Sequence, residues 1–503
     1  MSESKTSHVV VIGGGVGGMA VAARLSVKGH SVTLIEHADR VGGKLFTYRR
    51  EGFAFDTGPS LFTLPAVYRD LFLKTGKSLE ESIDLQELDP AFRYVFPDGS
   101  EVTLPGVDPA KCAQAFGAAF GAGSESQWRE FTSRGADMWR LTRGPFLQSP
   151  LKGWKSLLPL ANPSDVNTIA PFTSLRKLAR KYFTDPRMIT IVDRYATYTG
   201  SDPRHAPAVL ATIPYIEQVF GAWHIGGGVG TLATALEKRC VERKVAIRTG
   251  VTVTNIETMN NTVSGVRLES GEFIAADLVV SNSDATLTQD LLSQQDQKRL
   301  PKIPDSPSLA GFVLLLALNG TTEGLAHHNV WFPENYDAEF DAIFGKTPAP
   351  PRDPAIYACV PDDPEMRPSK DTESWFILVN APRHDPNARN GFDWDAPEVK
   401  EKYAQNILEK LAERGTDIRS RIKWMEIRTP ADLEREVMAP GGSIYGTSSN
   451  GPRAAFTRPA NQSVITGLYL VGGSSHPGGG LPLVGMGAEI TSELIGRAKK
   501  SNP

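Results

Sequence analysis

Three glycines, Gly13, Gly15 and Gly18, stand at the spacing Gly-x-Gly-x-x-Gly between an apolar run, Val9-Val10-Val11-Ile12, and a segment of helical character over 19–28. A second apolar run over 31–35 ends in Glu36, about 20 residues beyond the glycines. Each residue type has a physical use at this spacing. Gly13 allows a tight turn, Gly15 lets a pyrophosphate approach bare backbone, and Gly18 lets helix and strand pack closely. The helix start offers unpaired N–H groups and a partial positive charge to phosphate oxygens. Glu36 can accept hydrogen bonds from ribose hydroxyls. The order strand, turn, helix, strand, acid favours a dinucleotide site over an ordinary glycine-rich turn.

The next residues bear on which dinucleotide. Asp39-Arg40-Val41-Gly42-Gly43-Lys44 follows Glu36, and Asp56-Thr57-Gly58-Pro59-Ser60 comes shortly after. A nicotinamide domain would run into another helix here. Repeated glycine turns instead let backbone wrap an extended cofactor that stays bound, and Arg40 and Lys44 can offset its pyrophosphate charge. The joined pattern of Gly-x-Gly-x-x-Gly, Glu36, Arg40-x-Gly42-Gly43 and Asp56-x-Gly58 resembles the flavin-containing amine oxidase superfamily, which implies FAD.

A strand-like run over 467–473 leads into Ser474-Ser475-His476-Pro477-Gly478-Gly479-Gly480-Leu481-Pro482, and helical character follows over 483–499. This segment resembles the His-Pro-Gly loop of bacterial carotenoid desaturases of the phytoene desaturase type. Gly441-Gly442-Ser443-Ile444-Tyr445-Gly446, Phe456-x-Arg458-Pro459, Trp223-x-x-x-Gly227-Gly228 and Ser281-Asn282-x-Asp284 resemble the same family, so the likeness runs from Val9 to about Ile495. It implies that Gly13, Gly15, Gly18, Glu36, Arg40, Gly42, Gly43, Lys44, Gly58, Pro59, Ser60, Gly472, Gly473, Ser474, Gly480, Leu481, Pro482 and Leu483 hold FAD, with the backbone of Val253 at the adenine. Ser475 stands where the family often has Thr, and Gly479-Gly480 where Ala-Gly is common. The triple-glycine loop also suits relatives acting on already desaturated or hydroxylated carotenoids.

The resemblance implies an α/β fold. A discontinuous Rossmann-like FAD-binding domain (1–65, 225–284 and 466–503) is joined to a helical cap with part of the substrate domain (66–224) and to an α+β substrate domain (285–465). Within it, a helix over 231–242, strands over 245–248 and 251–256, a hairpin around Ser270-Gly271 and a strand over 278–282 are expected. Runs over 309–318 and 374–380 suggest a sheet flooring a substrate pocket.

The segment over 138–183 interleaves Trp139, Phe146, Leu147, Trp154, Leu157, Leu158, Leu160 and Phe172 with Arg140, Arg143, Lys152, Lys155, Arg176, Lys177, Arg180 and Lys181. Pattern alone leaves two readings: a cap with a solvated basic face, or a helix lying in a bilayer interface. The resemblance favours the second, because a carotenoid dissolves only in lipid, and it places the protein in the cytoplasm, peripheral on the inner face of the membrane.

Composition narrows the rest. The chain has 503 residues, room for more than one domain, and a formal net charge of −3, which argues against nucleic acid as main partner. Cys112, Cys240 and Cys359 are far apart, so neither a disulfide framework nor a Cys-x-x-Cys metal site follows. Residues 1–8 carry no signal-peptide core, and no run of about 18 apolar residues occurs.

The implied reaction removes two hydrogens from adjacent carbons of a polyene, a hydride going to flavin N5 and a proton leaving the neighbouring carbon. Oxygen and a membrane quinone are the candidate electron acceptors. Glu217, in the apolar run Tyr215-Ile216-Glu217-Gln218-Val219-Phe220, is the candidate proton acceptor, with a structural carboxylate paired to an arginine as the alternative. Asp56 reads as structural in its turn. His476 reads either as a turn residue or as a group beside the flavin. No Gly-x-Ser-x-Gly or His-Glu-x-x-His is present. A carotene isomerase or saturase, an amine oxidase, and a non-enzymatic prenyl-binding protein of the same fold are the competing functions. The first two use flavin and the last generally does not. Purified protein is therefore expected to be yellow with flavin absorption bands, and a colourless preparation would select the prenyl-binding reading.

Overall fold

In the computed structural model, the described residues are 7–153, 162–388, 391–451 and 454–498. The apolar run after His8 forms the strand His8–Ile12, at the centre of a five-stranded parallel sheet. Across the sheet the order is Leu468–Leu470, Leu278–Ser281, His8–Ile12, Ser31–Ile35 and Ala246–Arg248. Central parallel strands are covered on both faces, so they read as continuous apolar runs rather than alternating ones. Val9 and Val11 face a core with Met19, Val21 and Leu25 of the helix Val16–Val27. Val10 and Ile12 face the other way, onto Ile256 and Val266 of the antiparallel strands Val253–Met259 and Thr262–Leu268. The expected hairpin is present, closed at Gly271 with Phe273–Ala275 as its return strand.

Two helix boundaries differ from expectation. The first helix begins at Val16 rather than Met19 and so includes Gly17 and Gly18. Glycine is a poor helix former, but here packing decides: a Cβ at Gly18 would lie 2.1 Å from the Gly13 carbonyl oxygen. The last helix spans Leu481–Ile495 rather than 483–499. Pro482 sits in its first turn, where the missing N–H costs nothing, and Gly496, at φ +77°, ends it.

The expected floor is part of a seven-stranded mixed sheet. Ala310–Asn319 and Thr372–Ala381 pair antiparallel along their whole length. Ile422–Arg428 flanks the first, and Ile356–Cys359, His328–Trp331, Phe92–Val95 and Glu101–Leu104 continue beyond the second. The last two strands come from 66–224, the stretch expected to hold the cap and part of the substrate domain. Strand alternation presents Gly311 and Val313, with Leu378 and Asn380 opposite them, to a cavity.

Helices Ala122–Thr142, Pro186–Arg194 and Thr212–Phe220 contribute to the wall of that cavity, and Pro109–Phe120 and Leu175–Tyr182 pack against them. Local chemistry sets their starts: Asp108, Ser174 and Asp185 accept hydrogen bonds from first-turn N–H groups, and proline follows the two aspartates. Among the described residues no helix is long and apolar enough to cross a membrane.

Gly18→Ala would force the close helix–strand contact apart. It is expected to cost about 1–3 kcal/mol, read as a lower denaturant midpoint. Flavin retention should fall with it, because the same turn forms the glycine loop.

Candidate functional site

The first glycine loop is held from both sides. Gly13, at φ +93°, donates its N–H to the Ile35 carbonyl at 2.8 Å, and Gly14 receives the Gly42 N–H at 2.9 Å. Glu36 is buried at the end of its strand and accepts from the backbone N–H groups of Gly14 (2.6 Å) and Ala38 (2.9 Å), with His37 Nδ1 at 2.7 Å. Burial pushes its carboxyl up, but the hydrogen bonds from His37, Ala38 and Gly14 outweigh that and hold it below the usual carboxylate range. Gly43 lies against Gly15, where an added Cβ would stand 3.3 Å from the Gly15 Cα. Gly58 has no room for a side chain, since a Cβ would fall 1.8 Å from the Lys44 carbonyl oxygen.

The second glycine loop meets the first at Asn282. The Asn282 side chain donates to the Gly13 carbonyl at 3.3 Å, and Cβ atoms at Gly15, Gly17 or Gly472 would strike its amide at 2.9, 2.5 and 2.9 Å. Ser474 Oγ accepts from the Ala285 N–H at 2.9 Å. Arg458 is buried and clamps the loop, donating to the carbonyls of Tyr445, Thr447 and Gly473 at 3.1, 2.7 and 3.0 Å. Leu481, Pro482 and Leu483 bring a 15-residue helix start to the same place.

One cavity of about 1210 Å³ joins these parts. It is lined by Gly13, Gly15, Glu36, Arg40, Gly42, Gly43, Lys44, Gly58, Pro59, Ser60, Gly472, Gly473, Ser474, Gly480, Leu481, Pro482 and Leu483, and by Glu217. Beyond them it continues between apolar side chains such as Leu64, Trp139, Phe146, Ile213 and Ile216. It exceeds the roughly 300–1,000 Å³ of ordinary small-ligand pockets, enough for a cofactor and a long second ligand.

A family model described as flavin-containing amine oxidoreductase matches residues 16–352. The chain belongs to the flavin-containing amine oxidoreductase family. Curated relatives match along the full length. A 4,4'-diapolycopene oxygenase of Methylomonas sp is 32% identical over 98% of this chain and 99% of its own. A 4,4'-diaponeurosporene oxygenase of Staphylococcus aureus is 30% identical over 99% of both. Among solved structures, an oxidoreductase from Methanosarcina mazei (17% identity, TM-score 0.61, 97% of this chain and 100% of that one) shares the fold. So does putrescine oxidase bound to putrescine (14% identity, TM-score 0.63, 97% and 99%).

Like its family, this protein is an FAD-dependent oxidoreductase. Its loops fit the cofactor, because the glycine loops leave bare backbone on the cavity where side chains would otherwise stand. Two of the expected residues do not line the cavity. Gly18 serves helix packing, and Val253, paired with Leu268, has its side chain in the core with the antiparallel strands, which leaves only its backbone for the expected adenine contact. Lys44 lines the cavity, yet its ammonium is taken by the carbonyls of Ser443 (3.1 Å) and Ile444 (2.8 Å), and burial lowers it to about 8. It ties two loops together, leaving Arg40, which stacks 3.6 Å from the Phe46 ring centroid, as the cation of that segment.

Glu217 is buried on the wall of the cavity, receiving Tyr195 Oη at 2.6 Å and Tyr198 Oη at 3.3 Å. Burial raises its carboxyl to about 7, against the opposing pull of these hydroxyls and of Arg194. Asp56 is structural: it accepts from Thr47 Oγ1 and the Val229 N–H, and burial raises it to about 6. His476 does not line the cavity. Its Nε2 stands 3.0 Å from the carbonyls of both Phe146 and Ser149, so that nitrogen bears the proton and tethers the loop to the cap.

In the segment over 138–183, Trp139 is buried and Arg176 is paired with Asp193 and Asp337, so neither belongs to a solvated face. Trp154, Lys155, Leu157, Leu158 and Leu160 lie outside the described residues. Phe172 is 86% exposed and lines the cavity, as does exposed Val166. Sequence reasoning missed Arg194, Tyr198 and Tyr357 on the inner wall. They come from separate segments and carry no short motif.

Because the folded-state value for Glu217 lies above the unfolded one, the folded protein holds more protons than the unfolded chain between about 4.5 and 7. The Glu217 contribution to stability therefore falls as pH rises through that window. Glu217→Gln is expected to gain thermal stability relative to the parent over that range and to level off above it. Parallel melting curves would show this, and a constant difference would mean that Glu217 does not titrate there.

Proposed function

We propose that this FAD-dependent oxidoreductase oxidises an acyclic carotenoid. The observation that carries this reading is the apolar extension of the cofactor cavity, which offers a long hydrocarbon chain contacts along its length. FAD, when bound, supplies a two-electron acceptor. The chain itself must hold the polyene within about 3.5 Å of the reacting position and exclude water. Trp139, Phe146, Ile213 and Ile216 are placed to do both. Glu217, on the same wall and raised to about 7, is our choice for the group that takes the proton. Gly13, Gly15, Glu36, Gly42, Gly43, Gly472, Gly480 and the start of the helix Leu481–Ile495 are proposed to hold the cofactor.

Dehydrogenation of phytoene and oxidation at the end of an already desaturated chain both fit such a cavity. The names of the two relatives, one of them 32% identical along nearly the whole chain, favour oxidation of the chain end. A membrane surface is the proposed source of substrate. Exposed Phe172 and Val166 line the cavity, and Arg143, Lys177, Arg180 and Lys181 are exposed in the same stretch of chain. Oxygen or a membrane quinone is the proposed final electron acceptor; taking a chain-end methyl to an aldehyde removes four electrons, two turnovers of the flavin, with the added oxygen atom coming from water or from dioxygen. The cytoplasmic face of the membrane is the proposed location.

The test is pigment analysis in carotenoid-free bacteria supplied with phytoene in one strain and with 4,4'-diapolycopene in another, each with and without this protein. Polar products with the mass of an aldehyde or acid in the second strain are expected. Coloured hydrocarbons in the first would instead establish phytoene desaturation. Unchanged pigments in both, with flavin bound, would remove the carotenoid reading and move amine oxidation forward.

A further inference from the structure

Arg194 ends the helix Pro186–Arg194, is 9% exposed, and lines the cavity. A guanidinium has five N–H donors and no acceptor. Among the described residues its side chain makes one hydrogen bond, from Nη1 to Tyr198 Oη at 2.9 Å, and no ion pair. The other buried arginines are tied to protein. Arg24 pairs with Asp70 and Arg176 with Asp193 and Asp337. Arg239 donates to the Phe72 and Lys77 carbonyls and to Thr75, and Arg458 to three carbonyls. Arg194 instead stands among rings, its Cζ 5.2, 5.3 and 5.9 Å from the centroids of Tyr198, Tyr357 and Tyr94. Such faces attract a cation but accept few of its N–H groups, so donors are left toward the cavity.

The chemistry of the missing acceptor follows from the neighbours. Tyr198 Oη accepts from Arg194 and stands 3.3 Å from Glu217 Oε2, so the tyrosine links cation and carboxylate. A second carboxylate here would meet the charge of Glu217. A neutral oxygen acceptor would not. A hydrocarbon end would leave the buried donors unpaired, the situation in which a polar site rejects an apolar analogue most strongly.

We propose that Arg194, caged by Tyr94, Tyr198 and Tyr357, is an end-group subsite that binds a neutral carbonyl oxygen at the terminus of an apolar chain. The identity of that chain as a polyene rests on the carotenoid reading above. The subsite makes an aldehyde-ended chain a better ligand than the hydrocarbon, and it sets such a chain end-on in the cavity.

The test uses the purified FAD-loaded protein, titrated in detergent micelles with 4,4'-diapolycopene and separately with its terminal dialdehyde. Binding is followed by the polyene absorption band. The aldehyde is expected to bind at least about tenfold more tightly, the scale of one hydrogen bond to a charged group. Its band should move to longer wavelength, because a donor at the carbonyl stabilises the charge that moves there on excitation. Arg194→Gln should abolish both the preference and the shift, with flavin content as the check on folding. Arg194→Lys, which keeps a cation in the cage, should retain a smaller shift. Equal affinities in the parent protein, or a preference that survives Arg194→Gln, would overturn the subsite while leaving the carotenoid reading intact. An unshifted parent spectrum would overturn it however the variants fold. If neither compound binds the flavin-loaded parent, the carotenoid reading falls and takes the subsite with it.

Discussion

The side chain of Asn282 is the point at which the two glycine loops are held together. It follows the strand Leu278–Ser281 in the parallel sheet, so its backbone is placed by the Ile12 carbonyl while its amide reaches the Gly13 carbonyl. Gly15 and Gly17 crowd it from one side and Gly472 from the other, each too close for a Cβ. Segments more than 400 residues apart in sequence, around Gly15 and around Gly472, can thus meet only if they lack side chains there. The cavity wall beside them is bare backbone as a consequence, the surface a pyrophosphate needs.

The rest of the architecture supports that junction. Strands buried on both faces hold the loops rigidly at the ends of the sheet, and the long antiparallel pair Ala310–Asn319 and Thr372–Ala381 carries the opposite wall. Arg458 and Lys44 brace the loops over 443–447 and 473 by donating to backbone carbonyls. Both cations are buried and both are lowered by burial, to about 10 and about 8. At Lys44 the fold thus uses for loop geometry a cation that the sequence pattern suggests for phosphate.

Beyond the cofactor loops the cavity wall changes character. Apolar side chains from the cap give length without orientation, since hydrocarbon contacts are non-directional. The inner wall with Arg194, Tyr198, Tyr357 and Glu217 supplies direction, because hydrogen-bond donors at fixed positions distinguish one end of a ligand from the other.

The local motifs were legible in the chain itself. Gly13, Gly15, Glu36, Gly42, Gly43 and the loop from Gly472 to Leu483 could be read because backbone approach requires glycine and because helix starts and turns have their own residue preferences. Strands buried on both faces were legible for the same local reason, as unbroken apolar runs. Helix ends at Val16 and Ile495 were not, since packing against Gly13 and the backbone at Gly496 decided them. Nor did sequence spacing reveal that Lys44 is bound by carbonyls, which strands within 66–224 join the sheet of 285–465, or that Arg194 has no ion partner among the described residues. Those are properties of distances between remote segments. Residue types and their spacing determine what a short stretch of chain can do, while only the folded structure determines which other stretch stands opposite it.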